Sequence, residues 1–239
     1  QDKKEVAEKP FYRHFSYRDM SKRAGHGTNY SGEAEGMSRN LGVDLHLMRQ
    51  FQEAYFKAFP GIKRYHAWII HTLQTSRTLV NPFGRKRVFF DNPSAKSTIR
   101  EAIAFMPQSS IGDLMNLGMW KVWKEFGGAK VYCAGTQQPL VQLHAQVHDA
   151  ILVSYPEHRE DEVIPALVEL IPHPIIARDR EVVIPCSAET GWNWGKHDTK
   201  KKLWADTNPD GLMEYNGHDN RTRQESATKA SNLLGASIL

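Results

Sequence analysis

Two strand-like runs, Val141-Gln142-Leu143-His144-Ala145-Gln146-Val147 and Ala150-Ile151-Leu152-Val153-Ser154-Tyr155, are separated only by His148-Asp149. So short a connection implies a tight antiparallel hairpin over 141–155. Such a turn normally takes Gly or Asn, and neither is present. A carboxylate beside a run as apolar as Ala150-Ile151-Leu152-Val153 costs free energy unless something cationic meets it. Mg2+ suits the position, because it prefers one or two carboxylates together with substrate phosphates. A loop aspartate bonded to its local backbone is the bland alternative, and the hairpin alone leaves both readings open. Zinc fits poorly, since no third ligand is spaced to join His144 and His148.

The second informative feature is a four-residue repeat near the start, Arg18, Lys22, His26 and Tyr30. Residues 16–31 read as a helix, on which positions four apart are neighbours, so two cations, an imidazole and a phenol share one broad face. Cations in that arrangement can hold a triphosphate, with the rings meeting sugar and base; an ordinary solvated basic face is the alternative. Gly25 and Gly27 each cost a helix interior about 1 kcal/mol relative to Ala, which suggests that something bulky approaches the backbone there. A third and weaker pair is Arg100 and Gln108, whose side chains can hydrogen-bond phosphates, sugars or base edges.

Between these features the chain reads as mixed α and β. Asp44 is a plausible N-cap for a helix over 44–58, with Leu47, Phe51, Ala54, Tyr55 and Ala58 at helical spacing. Pro60-Gly61 punctuates, and a helix follows over 62–76. Thr78-Leu79-Val80 and Arg87-Val88-Phe89-Phe90 read as short strands about an Asn-Pro-Phe-Gly turn. A long helical stretch over 94–126 should be kinked or split by Pro107 and stopped by Gly127-Gly128. Residues 157–171 read as helix, and 181–188 as a strand that Pro185 confines to an edge or bulge. From 199 to 239 the chain turns polar and reads as an appended tail, loosely packed or docked late.

Composition narrows the class. A chain of 239 residues, 40% hydrophobic and 24% charged, is that of a soluble globular protein, and no apolar run approaches the roughly 20 residues of a membrane span. The polar start carries no secretory signal, and Cys133 and Cys186 form no disulfide framework, so a reducing, cytoplasmic setting is expected. A net charge of +4 is compatible with a polyanionic partner without requiring one. Aromatic residues interleaved with cations, as in His14-Phe15-Ser16-Tyr17-Arg18 and Lys121-Val122-Trp123-Lys124, suit a nucleic-acid surface or a core edged by solvated charge.

Taken in order, these segments resemble family A DNA polymerases, the group of the bacterial repair polymerase and many bacteriophage replicases, with the bacteriophage type expected. Arg18-Asp19-Met20-Ser21-Lys22-Arg23-Ala24-Gly25-His26-Gly27-Thr28-Asn29-Tyr30 resembles motif B, and Gln146-Val147-His148-Asp149 resembles motif C. Arg100-Glu101-Ala102-Ile103 with Gln108 resembles the helix between them, and Gly191-Trp192-Asn193-Trp194-Gly195 the family's closing segment. The resemblance runs from about Phe11 to Asp198. It implies an α+β right-hand fold with fingers over 11–93, part of a palm with an antiparallel sheet over 94–198, and a tail over 199–239. It further implies that Arg18 and Lys22 hold the β- and γ-phosphates of a dNTP, that Lys22 can protonate departing pyrophosphate, that His26 packs on the sugar and that Tyr30 lies by the nascent base pair. Asp149 would be one of two aspartates bridging two Mg2+ ions. His148 would contact the primer end, and Arg100 and Gln108 the primer–template DNA.

Four positions depart from the family pattern: His26 for Phe or Tyr, Ser31 for Gly, Ala150 for Glu and Ala104 for Asn. A larger departure is that no strand carrying the second metal-binding aspartate, motif A, precedes Arg18, where the only acids are Asp2, Glu5 and Glu8. By the same resemblance the thumb is expected to lie outside these residues. The reading therefore expects a polymerase portion that is inactive alone and needs a polypeptide or upstream segment carrying motif A. Two rivals are a non-catalytic nucleic-acid-binding remnant and a metal-dependent phosphohydrolase built on His144, His148 and Asp149.

Overall fold

The computed structural model describes residues 3–12, 15–127, 139–177, 179–199, 207–216 and 235–238. Its architecture is α+β, helices with small antiparallel sheets, in two compact units spanning Gln1–Ser109 and Ser110–Leu239.

In the first unit a short helix α1 (Lys3–Ala7) and a two-stranded ribbon, β1 (Pro10–Tyr12) with β2 (Phe15–Ser16), lead into α2 (Tyr17–Asn29). Ser16 caps α2, its Oγ accepting from the Asp19 N–H at 3.1 Å. Helix α3 (Ala34–Leu41) is absent from the sequence reading: it is short, carries Gly36 inside, and ends at Gly42 with a φ of 63°, the left-handed stop that glycine supplies. Asp44 caps α4 (Leu45–Ala58) as expected, accepting from the N–H groups of His46 and Leu47 at 2.8 and 3.2 Å. The face of α4 differs in detail from the expected one, with Met48 buried and Ala54 and Ala58 exposed. Phe15, Met20, Ala24, Met37, Val43 and Met48 form the core joining these elements.

Helix α5 (Pro60–Thr75) places Pro60 in its first turn, where a missing N–H costs nothing. Strands β3 (Thr78–Val80) and β4 (Lys86–Val88) pair about a turn held by buried Asn81, whose Oδ1 accepts from Phe83 and Arg85 N–H at 3.0 and 2.9 Å. Helix α6 (Lys96–Val122) runs unbroken through Pro107 and continues into a wider π-helical turn at Trp123–Gly127. The expected split at Pro107 is therefore not observed. Proline deprives the Ile103 carbonyl of its intrahelical donor, and the Tyr65 hydroxyl donates to that carbonyl at 2.7 Å instead. Burial, with Tyr30 nearby, pushes the Tyr65 phenol well above its ordinary pKa, so it stays protonated and able to donate.

In the second unit, β5 (Gln142–Val147) and β6 (Ala150–Ser154) form the hairpin, with an irregularity between Leu143 and Ala145. A 3-10 turn at Glu157–Arg159 and α7 (Glu160–Leu170) cover it, burying Ile151, Val153, Val163, Ile164 and Leu167 together. Strands β7 (Ile175–Ala177) and β8 (Arg180–Val182) make a separate hairpin, and β9 (Ala188–Gly191) begins after an irregular stretch containing Pro185. The single strand expected over 181–188 is thus two strands, divided where proline lacks a ladder donor.

Beyond 198 the described residues belong to the same unit. Asn208 and Asp198 exchange backbone bonds, Leu212 donates to Gly195, and Tyr215 donates to Ala188. Gly191 and Gly211 permit this approach: a Cβ on Gly191 would lie 2.7 Å from the Gly211 backbone. Strands β10 (Met213–Glu214) and β11 (Gly235–Ile238) complete a five-stranded sheet ordered β10-β9-β11-β6-β5.

Candidate functional site

Helix α2 is amphipathic in the sense its sequence predicts. Met20, Ala24, Gly25 and Thr28 are buried, while Arg18, Lys22 and His26 are exposed on the outer face, spaced about 6 Å apart along the axis. Arg18 donates from Nη1 to the Glu8 Oε1 at 3.1 Å, an exposed ion pair that solvent screens. Tyr30 is not on the helix but caps it, its backbone N–H returning to the His26 carbonyl. The rings of His26 and Tyr30 lie 4.6 Å apart between centroids. Ser31 then takes a φ of 58°, a conformation suited to glycine, which explains why glycine would be the favoured residue there.

Gly25 and Gly27 have an explanation within the chain. A Cβ at Gly25 would meet the Tyr55 ring at 3.4 Å, and one at Gly27 would lie 2.4 Å from Met37 Sδ. Both bulky groups are side chains of this protein, so the glycines give no separate argument for a ligand.

The end of α2 is fixed by residues to which the sequence alone assigned no such role. Gln52 Nε2 donates to the Gly32 carbonyl at 2.8 Å and to Thr28 Oγ1 at 3.3 Å. Tyr55 donates to Asn29 Oδ1 at 3.3 Å, and His66 Nε2 lies 2.8 Å from the Asn29 carbonyl. All reach across twenty or more residues of chain, and no local motif announces them.

Arg100 and Gln108 are both exposed on α6. Eight residues apart on a helix, they stand about 12 Å apart along the axis and about 80° apart around it, so they do not form one narrow stripe. Near Arg100, Lys96 Nζ donates to Glu33 Oε1 at 2.5 Å; that bond and the Lys96 charge, with Arg100 adding to them, hold the Glu33 carboxyl below its ordinary pKa.

His148 and Asp149 are the turn of the β5–β6 hairpin, where Val147 faces Ala150 in register. Both are exposed at the end of strands whose Ile151 and Val153 are wholly buried. His148 has a φ of 56° and Asp149 does not share the positive φ, an arrangement in which glycine usually takes the first position. A left-handed L-residue costs roughly 1–2 kcal/mol, so the packed strands, not the turn residues, dictate this backbone. Ala150 is buried at 7% exposure, which leaves little room for the glutamate usual after the aspartate in the resembled pattern. His144 turns to Ser154, Nε2 to Oγ 2.6 Å, and serves the hairpin itself.

The predicted residues thus divide between the units: Arg18, Lys22, His26, Tyr30, Arg100 and Gln108 on the first, His148 and Asp149 on the second. Among the described residues no group of three or more His, Cys, Asp and Glu side chains gathers as a metal site. Asp149 can supply one carboxylate to a cation, but this donor set does not amount to a two-metal centre. Nor do the described residues give His144, His148 and Asp149 the companions that a phosphohydrolase would need.

The family model for DNA polymerase family A matches residues 6–196. The chain is 31% identical over 190 residues to the thermostable DNA polymerase I of Thermus filiformis, covering 76% of this chain and 21% of that protein. It is 33% identical over 187 residues to DNA polymerase I of Chloroflexus aurantiacus, covering 74% and 18%. The chain therefore spans about a fifth of the length of these relatives, both bacterial. Among solved structures it is similar to the POL domain of Pol1 from M. smegmatis in complex with DNA primer-template and dNTP, with a TM-score of 0.57 at 20% identity over 70% of this chain and 29% of that one. That likeness concerns the fold.

Proposed function

The chain belongs to DNA polymerase family A, and from that premise we propose that it supplies the nucleotide grip and one catalytic carboxylate for template-directed DNA synthesis. The observation that carries this reading is α2: one face is packed and fixed at both ends, and the other offers Arg18, Lys22 and His26 to solvent in a row. Polymerisation is attack of a primer 3′-hydroxyl on the α-phosphate of a dNTP with pyrophosphate leaving, and the protein's part is positioning and offsetting charge. Arg18 and Lys22 hold the β- and γ-phosphates, and the Lys22 ammonium can pass a proton to the leaving pyrophosphate. His26 lies against the sugar and Tyr30 against the nascent base pair. His148 meets the primer end, and Arg100 and Gln108 the primer–template duplex. Mg2+ bound with Asp149 as one ligand would offset the charge on the reacting phosphates. Since no group of three or more His, Cys, Asp and Glu side chains gathers among the described residues, the proposal takes the second carboxylate from a segment carrying motif A, without which the chain is inactive. The domain assignment that accompanies this reading is fingers over 11–93 and a palm portion over 94–198.

Two measurements test it. Lys22→Ala should weaken dGTP binding about tenfold or more, since a charge-assisted hydrogen bond contributes about 1.5–3 kcal/mol, while leaving primer–template binding intact. Primer extension should appear only when the chain is mixed with a segment carrying motif A, and Asp149→Asn should abolish it without loss of DNA binding. Synthesis by the isolated chain contradicts the proposal. Synthesis that survives Asp149→Asn would favour the rival in which the chain is only a DNA-binding remnant.

A further inference from the structure

The last turn of an α-helix carries carbonyls for which the helix itself supplies no donor. In α2 one of these belongs to Asn29, its final residue, and His66 of α5 meets it, Nε2 to O 2.8 Å. A carbonyl oxygen only accepts, so the imidazole carries its proton on Nε2 and donates. The ring is partly buried, with Phe56 edge-on to it at 6.5 Å between centroids and Tyr65 at 6.0 Å.

This bond does more than close a helix end, because the carbonyl it holds is half of the peptide that leads into Tyr30. The other half, the Tyr30 N–H, donates back to the His26 carbonyl at 3.2 Å. His66, the Asn29–Tyr30 peptide and the His26 backbone therefore form one hydrogen-bonded chain, in which each bond polarises the next. The side chains that flank this chain are the His26 and Tyr30 rings, 4.6 Å apart. Arg18 and Lys22 stand on earlier turns, whose carbonyls are satisfied within the helix. Tyr55 also reaches Asn29, but through its side-chain Oδ1 at 3.3 Å, and so leaves that peptide alone.

We propose that His66 is a positioning residue. Through the Asn29–Tyr30 peptide it sets the place of the His26–Tyr30 ring pair, and so governs how tightly the site holds the nucleoside half of a nucleotide. The phosphate grip of Arg18 and Lys22 does not depend on it. The consequence for a nucleotide rests on the polymerase reading of the two rings; the positioning does not.

The experiment uses the full chain as the parent and as three variants. His66→Leu removes the donor, His66→Gln keeps a donor at Nε2, and Tyr55→Phe removes only the bond to the Asn29 side chain. Without nucleotide, His66→Leu should shift the NMR signals of the Tyr30 amide and the His26 ring and leave those of the Arg18 and Lys22 amides in place. His66→Gln should return them toward the parent positions. Tyr30 and His26 signals that stay in place overturn the positioning. So does a Tyr55→Phe shift as large as that of His66→Leu, which would mean a general loosening of the helix end. The binding probes are dGTP and inorganic tripolyphosphate, titrated separately. His66→Leu should lose about threefold to tenfold in dGTP affinity, the scale of one hydrogen bond, and less than about twofold in tripolyphosphate affinity. His66→Gln should recover most of the loss. Equal loss of both ligands assigns the effect to charge or to the fold, against the proposal. Ring signals that move with dGTP affinity unchanged overturn the bearing on the nucleoside and uphold the positioning. Parent affinity for dGTP retained in both His26→Ala and Tyr30→Ala overturns instead the polymerase reading of the rings, and the NMR signals alone then decide the positioning. One measurement needs no variant: the neutral His66 ring of the parent should carry its proton on Nε2, and a proton on Nδ1 overturns the proposal.

Discussion

Arg18 has two claims on its charge. In the structure its guanidinium meets Glu8 at 3.1 Å, both side chains well exposed; in the proposed role it meets a triphosphate. Exposed pairs of this kind contribute about 0.2–1 kcal/mol, too little to withhold the arginine from a polyanion but enough to weaken its binding. Glu8→Gln should therefore tighten dGTP binding by up to about fivefold, measured by equilibrium titration at low salt, and the gain should shrink as salt rises. Ser31 makes a second residue-scale case. Its φ of 58° is a conformation that costs an L-residue roughly 1–2 kcal/mol and a β-branched one more. Ser31→Gly should leave thermal stability unchanged or raised, whereas Ser31→Val should lower it by about 1–2 kcal/mol. The Asp44 cap is legible in sequence because it is local, two and three residues from its donors. Glu8, Gln52, Tyr55 and His66 are not, because each acts on a group brought near only by folding.

Among the elements, α6 shows how a distant side chain can offset what a local rule removes. Pro107 must strip the Ile103 carbonyl of its helical donor, and the sequence reading stopped at that loss. Tyr65, thirty-eight residues away on α5, restores the bond at 2.7 Å and lets the helix continue. Tyr65→Phe should accordingly destabilise the protein by about 1–3 kcal/mol, the cost of leaving that carbonyl unsatisfied. Thermal unfolding of the variant would show it, with far-UV circular dichroism checking whether helix is lost as well. The β5–β6 hairpin was legible for the opposite reason. Its two-residue connection and its apolar runs determine pairing without distant help, and the register observed follows from them. Residues 181–188 read in sequence as one strand with Pro185 at an edge or bulge, whereas the structure has two strands divided by the stretch that holds Pro185.

On the scale of the whole molecule, what sequence could not convey is which distant segments share a sheet. Strand β11 lies between β6 and β9, more than forty residues from either, and its polar approach gives no sign of it. The same sheet carries Asp149 at the end of its hairpin, whereas Arg18, Lys22 and His26 belong to the other unit. Under the proposed function, primer extension requires both Lys22 and Asp149, together with a further acid from outside the described residues. The most direct test replaces the matching region of the Thermus filiformis polymerase with residues 6–196 of this chain and assays primer extension with Mg2+. The chimera should extend a primer, and Lys22→Ala and Asp149→Asn should each reduce extension at least a hundredfold while primer–template binding persists. A chimera that binds primer–template yet extends nothing, or whose extension survives Asp149→Asn, would contradict the account.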